Sequence, residues 1–327
     1  MNRYTIPICL AVWLSGIWHV ASAQAAETRI LFLHHSTGQN LIAEGAVRES
    51  LHDLGYAFYD HGYNEEGLRD ASGESTGISY EIPDDNTDPD GWAAVFSQPF
   101  TSPPQNAFSH MLAYDVIMFK SCFPASNIVD DDQLSQYKAY YLTIKERMDE
   151  HPGNLFIILT PPPAIPADSD PEAAARARSF SRWLSSDEYL GGHPNIATFD
   201  LFDELAGDDN YLRLEYRTDE YDGHPNHAAN AAVGPVLVDF IDRTISGFQP
   251  AASETTASSS VQDTEAQEQT TDTVSFPASP TSAGSEAEDT DASARERTIL
   301  VAAGGAVLTL ITIIWIVRRK QKSPLSL

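Results

Sequence analysis

Ile30 to Gly38 reads ILFLHHSTG. Its unbroken apolar start marks a strand buried on both faces, as at the centre of a parallel sheet. Ser36, Thr37 and Gly38 then turn the chain toward a helix, so Ser36 falls just past the strand's carboxyl end. In open α/β sheets functional groups gather beyond those ends.

Further strands are expected at Tyr56–Gly62 (YAFYDHG), Tyr114–Cys122 (YDVIMFKSC), Asn154–Pro163 (NLFIILTPPP) and Ile196–Asp200. Helices are expected between them: from about Asn40 to Leu54, from Asp132 to about Pro152, after Pro171, and from His227 to Ile245. In the second of these, Leu134, Tyr137, Tyr141, Ile144 and Met148 recur at helical spacing. Strands alternating with helices predict a three-layer α/β/α sandwich on a parallel sheet. Tyr63 to Pro104 is rich in Gly, Asp, Ser and Pro, and reads as a long loop forming one wall of a cleft.

The ends carry different signals. Residues 1–26 have a positive Arg3, an apolar core and the small-residue stretch Ala21–Ala25, the pattern of a signal peptide. Residues 298–317 are apolar and uncharged, long enough at about 1.5 Å per residue to span a bilayer core. Arg318, Arg319, Lys320 and Lys322 follow, so residues 318–327 are expected to be a cytoplasmic tail. Residues 248–297 are acidic and rich in Ser and Thr, the composition of a disordered stalk. Residues 27–247 remain as one domain of ordinary size. The expectation is a single-pass membrane protein with that domain on the periplasmic or extracellular side.

A net charge of −27 argues against nucleic-acid binding, which needs a positive footprint. Of the two cysteines, Cys9 lies in the signal segment, which leaves Cys122 alone and permits no internal disulfide. A buried, inert thiol is its expected role, against that of a nucleophile.

Tyr221 to His227 reads YDGHPNH. A serine hydroxyl needs an imidazole within hydrogen-bond reach before it attacks a carbonyl. His224 can be that base, with His227 as its rival. Asp222 or Asp219 can orient the ring. As a competing reading, Ser36 is a helix cap.

The two stretches together resemble the SGNH hydrolases, the GDSL-like esterase/lipase superfamily, over about Arg29 to Ile245. That resemblance implies a flavodoxin-like fold and an acyl-serine mechanism. It implies Ser36 as nucleophile, His224 as base and Asp222 as orienting residue. Backbone N–H groups at Ser36 or Thr37, with Gly62 and Asn127, are implied as the oxyanion hole. Ser121, Ser126 and the Cys122 backbone are the alternatives to Asn127. The chain departs from the family pattern: His34-His35-Ser36 stands where Gly-Asp-Ser is usual, and Asp222 lies two residues before His224 rather than three. His34 and His35 should point to opposite faces of the strand.

The stretch DDNTDPDGW (Asp84–Trp92) alternates Asp84, Asn86, Asp88 and Asp90 before Gly91. Such crowded hard oxygens suit a structural calcium, and suit equally an acidic turn capped by its own side chains. Trp92, Phe96 and Phe100 are expected to anchor this segment to the core, with the lining of a sugar-binding cleft as the alternative. No cofactor is required by the chemistry. The expected activity is hydrolysis of a carboxylic ester, with an acetylated glycan as one substrate class. Its alternatives are O-acetyl transfer and a carbohydrate-binding or adhesion module without catalysis.

Overall fold

A computed structural model describes residues 27–82 and 88–250. In chain order the elements are β1 (Arg29–Leu33), α1 (Ser36–Glu44), α2 (Val47–Asp53), β2 (Ala57–His61), β3 (Leu68–Arg69), α3 (Pro89–Phe96), α4 (Ala107–Met111), β4 (Val116–Lys120), α5 (Asp131–Asp149), β5 (Leu155–Leu159), α6 (Pro171–Leu184), α7 (Asp187–Leu190), β6 (Ile196–Phe199), α8 (Leu201–Leu205) and α9 (His227–Gly247). Single 3-10 turns lie at Phe123–Ser126 and Leu214–Tyr216.

The continuous apolar strands read as they do because both faces of the sheet are covered. Leu31, Leu33, Ile117, Phe119, Phe156 and Ile158 pack on one side with Trp92, Phe96, Tyr141, Met148 and Phe180, from α3, α5 and α6. Ile30, Phe32, Val116, Met118, Leu155 and Ile157 pack on the other side with Leu41, Leu51, Leu205, Val233 and Leu237, from α1, α2, α8 and α9. The period-two alternation of strand side chains therefore makes two cores from one sheet. Burial of each large apolar side chain contributes about 1.5–3 kcal/mol, so two such layers hold the domain without a disulfide. Cys122 is indeed free and buried.

The sheet order is β3-β2-β1-β4-β5-β6. All neighbours are parallel except β3, which is antiparallel to β2. The three-layer α/β/α sandwich expected from the sequence is the fold found, with one short antiparallel edge strand added. The chain steps outward from β1 to β2 and later resumes on the other side of β1 with β4. The crevice at such a reversal is the ligand site of doubly wound sheets, and Ser36 lies at its lip.

Three local expectations need correction. The helix foreseen over Asn40–Leu54 starts earlier, at Ser36, and breaks into α1 and α2 around Gly45 and Ala46, the latter with a left-handed φ of 52°. The stretch from Tyr63 to Pro104 is not all loop, since β3 and α3 lie in it. Trp92 and Phe96 are fully buried in the core, as expected, but Phe100 is exposed.

The segments read as signal peptide, transmembrane span and cytoplasmic tail, and nearly all of the stalk, lie outside the described residues. Among the described residues no helix is long and apolar enough to cross a membrane.

Candidate active site

β1 delivers the chain to the crevice, and its ladder to β2 continues one residue further, with His34 N–H donating to the His61 carbonyl at 3.0 Å. His35 is the N-cap of α1, in extended backbone geometry and without a side-chain cap. Ser36 is therefore the first residue of the helix and not its cap. Its hydroxyl is 2.9 Å from Nε2 of His224, 188 residues away in the chain.

The loop that carries His224 is held from both sides. Asp219 Oδ1 accepts the backbone N–H groups of Tyr221 and Asp222, which closes the approach turn. Pro225 bridges to Arg217. Asn226 caps α9 by accepting from Ala229 N–H, and its own amide donates to the carbonyls of Glu215 and Arg217. Within that frame Asp222 Oδ1 accepts from both the backbone N–H of His224, at 3.0 Å, and Nδ1, at 2.8 Å. With the proton on Nδ1, Nε2 is left as the acceptor for the Ser36 hydroxyl. The Phe123 ring stands edge-on to the imidazole at 5.3 Å. The backbone hydrogen bond from His224, then that from its ring, outweigh burial and hold the Asp222 carboxyl below its ordinary range.

The geometry separates the rival residues. Asp222, not Asp219, touches the imidazole, because Asp219 is committed to the turn. His227 opens α9 and is exposed.

Of the expected oxyanion donors, Ser36 and Thr37 open α1, where backbone N–H groups have no partner within the helix and the helix end favours negative charge. Thr37 itself is buried, its Oγ1 3.7 Å from Cys122 Sγ. Gly62 N–H is engaged by Gly67 carbonyl in a long 3.4 Å contact. Asn127 lines the same cavity as His224. Ser121 and Ser126 are buried and bonded elsewhere, Ser121 to the Tyr141 hydroxyl and Ser126 to the Pro162 carbonyl.

That cavity has a volume of about 640 Å³. Phe123, Tyr137 and Tyr221 supply rings, Asn127 and Gln133 supply amides, and Asp168 and Asp222 supply carboxylates, with no Lys or Arg in its described lining. No described residue of Tyr63–Pro104 lines it, and its described walls come from the stretch after β4, the first turns of α5, the loop after β5 and the loop before α9. No individual role is assigned from the sequence to Asn226, Phe123 or Asp168, although the stretch Cys122–Asn127 and the loop after Thr160 are expected to gather beyond the carboxyl ends of the strands. Of these only Asn226 has a sequence signal, as a capping residue just before an apolar helix.

The two histidines before Ser36 are both buried. His35 stacks on Tyr63 with ring centroids 4.0 Å apart. Burial, followed by the charge of Lys120 and then of His34 and His61, lowers its pKa to about 4. Lys120 is itself 1% exposed, and its Nζ has no hydrogen-bond partner among the described residues.

Asp84 and Asn86 lie outside the described residues. Asp88 takes the N-cap position of α3, and Asp90 lies in its first turn. Among the described residues no group of three His, Cys, Asp or Glu side chains is arranged to hold a metal ion.

No family model and no curated protein sequence matches the chain. Solved structures do. A GDSL-like lipase from Bacteroides thetaiotaomicron is similar at 10% identity and a TM-score of 0.40, covering 66% of this chain and 88% of its own. A family two carbohydrate esterase from Cellvibrio japonicus is similar at 14% identity and a TM-score of 0.37, covering 68% of this chain and 62% of its own. Similarity at this level carries no statement about activity, and the chemistry below rests on the side chains of the site.

Proposed function

We propose that the chain is a serine ester hydrolase whose nucleophile is Ser36. One observation carries this reading: the continuous hydrogen-bond chain from Ser36 Oγ through His224 to Asp222, with both links under 3 Å. As Oγ attacks the ester carbonyl, its proton passes to His224 Nε2 and the carbonyl π electrons move to oxygen. That oxyanion is held by the Ser36 and Thr37 N–H groups at the α1 terminus, with the Asn127 side chain as a further donor. Collapse breaks the bond to the leaving alcohol, which takes the proton from His224, and an acyl-serine remains. Water then attacks, loses its proton to His224, and the acid departs as Ser36 regains a proton. Asp222 holds the imidazole in the productive tautomer and offsets its charge in both steps.

The cavity beside His224 joins rings and amides to carboxylates, without a basic residue in its described lining. This favours neutral or cationic esters over anionic ones, and an acetylated glycan fits that chemistry. Transfer of the acyl group to a sugar hydroxyl would use the same residues with a different acceptor. In this reading residues 298–317 tether the domain outside a membrane through the acidic stalk.

The test is turnover of p-nitrophenyl acetate and of sugar acetates by the full chain. Loss of at least about 10³-fold in kcat is expected for Ser36→Ala. Turnover unchanged in that variant rules out the serine mechanism. A native chain inactive on every ester tried supports the binding-module alternative.

A further inference from the structure

The sequence departs from its resembling family where His34 and His35 precede the serine. His34 is 2% exposed. Its Nε2 is 3.0 Å from Asp60 Oδ2, at the end of β2. The other oxygen of Asp60 is bonded by Arg48 of α2, whose guanidinium also donates to the carbonyls of Phe58 and Asp70 at 2.7 and 2.9 Å. Nδ1 of His34 lies 3.1 Å from the carbonyl of His35. That carbonyl belongs to the N-cap of α1 and also accepts from Gly38 and Gln39 N–H. The His34 side chain lies against the helix, where a Cβ at Gly38 would sit 2.4 Å from His34 Cβ and 2.8 Å from Cγ of its ring. Gly38 therefore leaves room for a side chain at position 34 against the first turn of α1.

We infer that His34 is a positioning residue for Ser36, the last link of a buried Arg48–Asp60–His34 chain that fixes the first turn of α1. Ser36 is the next residue after the carbonyl that His34 holds, so rotation of that peptide redirects Oγ relative to His224. Asp60 is the anchor. Burial opposes its charge, but His34 and Arg48 together outweigh that penalty and keep its carboxyl below the ordinary range. Both ring nitrogens of His34 face acceptors. A phenylalanine keeps the ring's volume and supplies no donor, and a glutamine carries its two N–H groups on a single nitrogen.

This inference rests on Ser36 being the nucleophile, and its test keeps the two claims apart. In the full chain, active serines are titrated with a fluorophosphonate, and kcat and KM for p-nitrophenyl acetate are measured per titrated site. His34→Phe is expected to lower kcat about 10- to 100-fold while KM stays within about twofold, with His34→Gln intermediate. A residue that only supports the fold would reduce the number of titratable sites and leave kcat per site unchanged, and that result in both variants overturns the inference. A native chain with no titratable serine refutes the hydrolase reading instead. The buried chain is then tested by imidazole nitrogen NMR, with His34 assigned by difference from either variant. A slowly exchanging ring N–H proton on Nε2, the nitrogen facing Asp60, is expected, and its absence overturns the arrangement.

Discussion

Ser36 opens α1 and His224 lies in the loop three residues before α9, and those helices meet at glycines. A Cβ built on Gly234 would lie 2.1 Å from the carbonyl oxygen of Gly45 and 2.6 Å from its Cα. Both obstacles are backbone, so no side chain can rotate away. Ordinary contact begins near 3.4 Å, and Gly234→Ala must part the helices by about 1 Å. Overpacking of that kind costs about 1–3 kcal/mol of stability. Its larger effect falls on the 2.9 Å contact between Ser36 and His224, because a misplacement of about 1 Å costs on the order of 10²-fold in rate. Asn230, one turn earlier on α9, donates to Glu44 at 2.7 Å and resists simple sliding. The assay is kcat for p-nitrophenyl acetate together with the thermal midpoint. Gly247→Ala, in the same helix with nothing within 4 Å, is the control and should change neither. A Gly234→Ala protein with native kcat and native stability refutes the argument that this contact sets the distance between the two groups.

His35 binds a proton near 6.5 when unfolded and near 4 in the folded domain. The unfolded chain therefore holds more protons between those values. At about 1.4 kcal/mol per pH unit, about 3 kcal/mol of stability is present above pH 6.5 and lost as pH falls toward 4; urea midpoints of His35→Phe should lack most of that slope, and an unchanged slope contradicts it. The buried Lys120 amine has no hydrogen-bond partner among the described residues. Lys120→Met is accordingly expected to raise stability by about 1–3 kcal/mol, and a lower melting temperature would show that the amine has a stabilising role. Asp222→Asn should lower kcat by about 10²–10⁴-fold, whereas Asp219→Asn, which alters only a turn acceptor, should stay within about tenfold of native. The reverse ranking would move the orienting role to Asp219.

The parts of the fold visible in the sequence are those made by local pattern. ILFL, VIMF and LFIIL are apolar without interruption because both faces of each strand are covered, and β1, β4 and β5 were foreseen within a few residues. Ser36, Asp222 and His224 are singled out in the sequence by two short stretches, one just past a strand and one just before an apolar helix, and by the resemblance that the pair carries. What stayed hidden depends on residues far apart in the chain. The break between α1 and α2 accompanies the approach of Gly234 to Gly45, which no window around Asn40–Leu54 contains. β3 has two residues and exists by pairing with β2. α3 begins inside an acidic, Gly- and Pro-rich stretch whose composition reads as loop, while Trp92 and Phe96 dominate its packing. His34 meets Asp60, which Arg48 holds in turn, and adjacent histidines alone announce nothing of those contacts.

The most direct measurement is the site of covalent attachment of a fluorophosphonate on the native full chain. The account predicts one adduct, on the peptide containing Ser36, formed at a rate that collapses in His224→Ala. An adduct on any other residue, or turnover of esters without any adduct at Ser36, would contradict it.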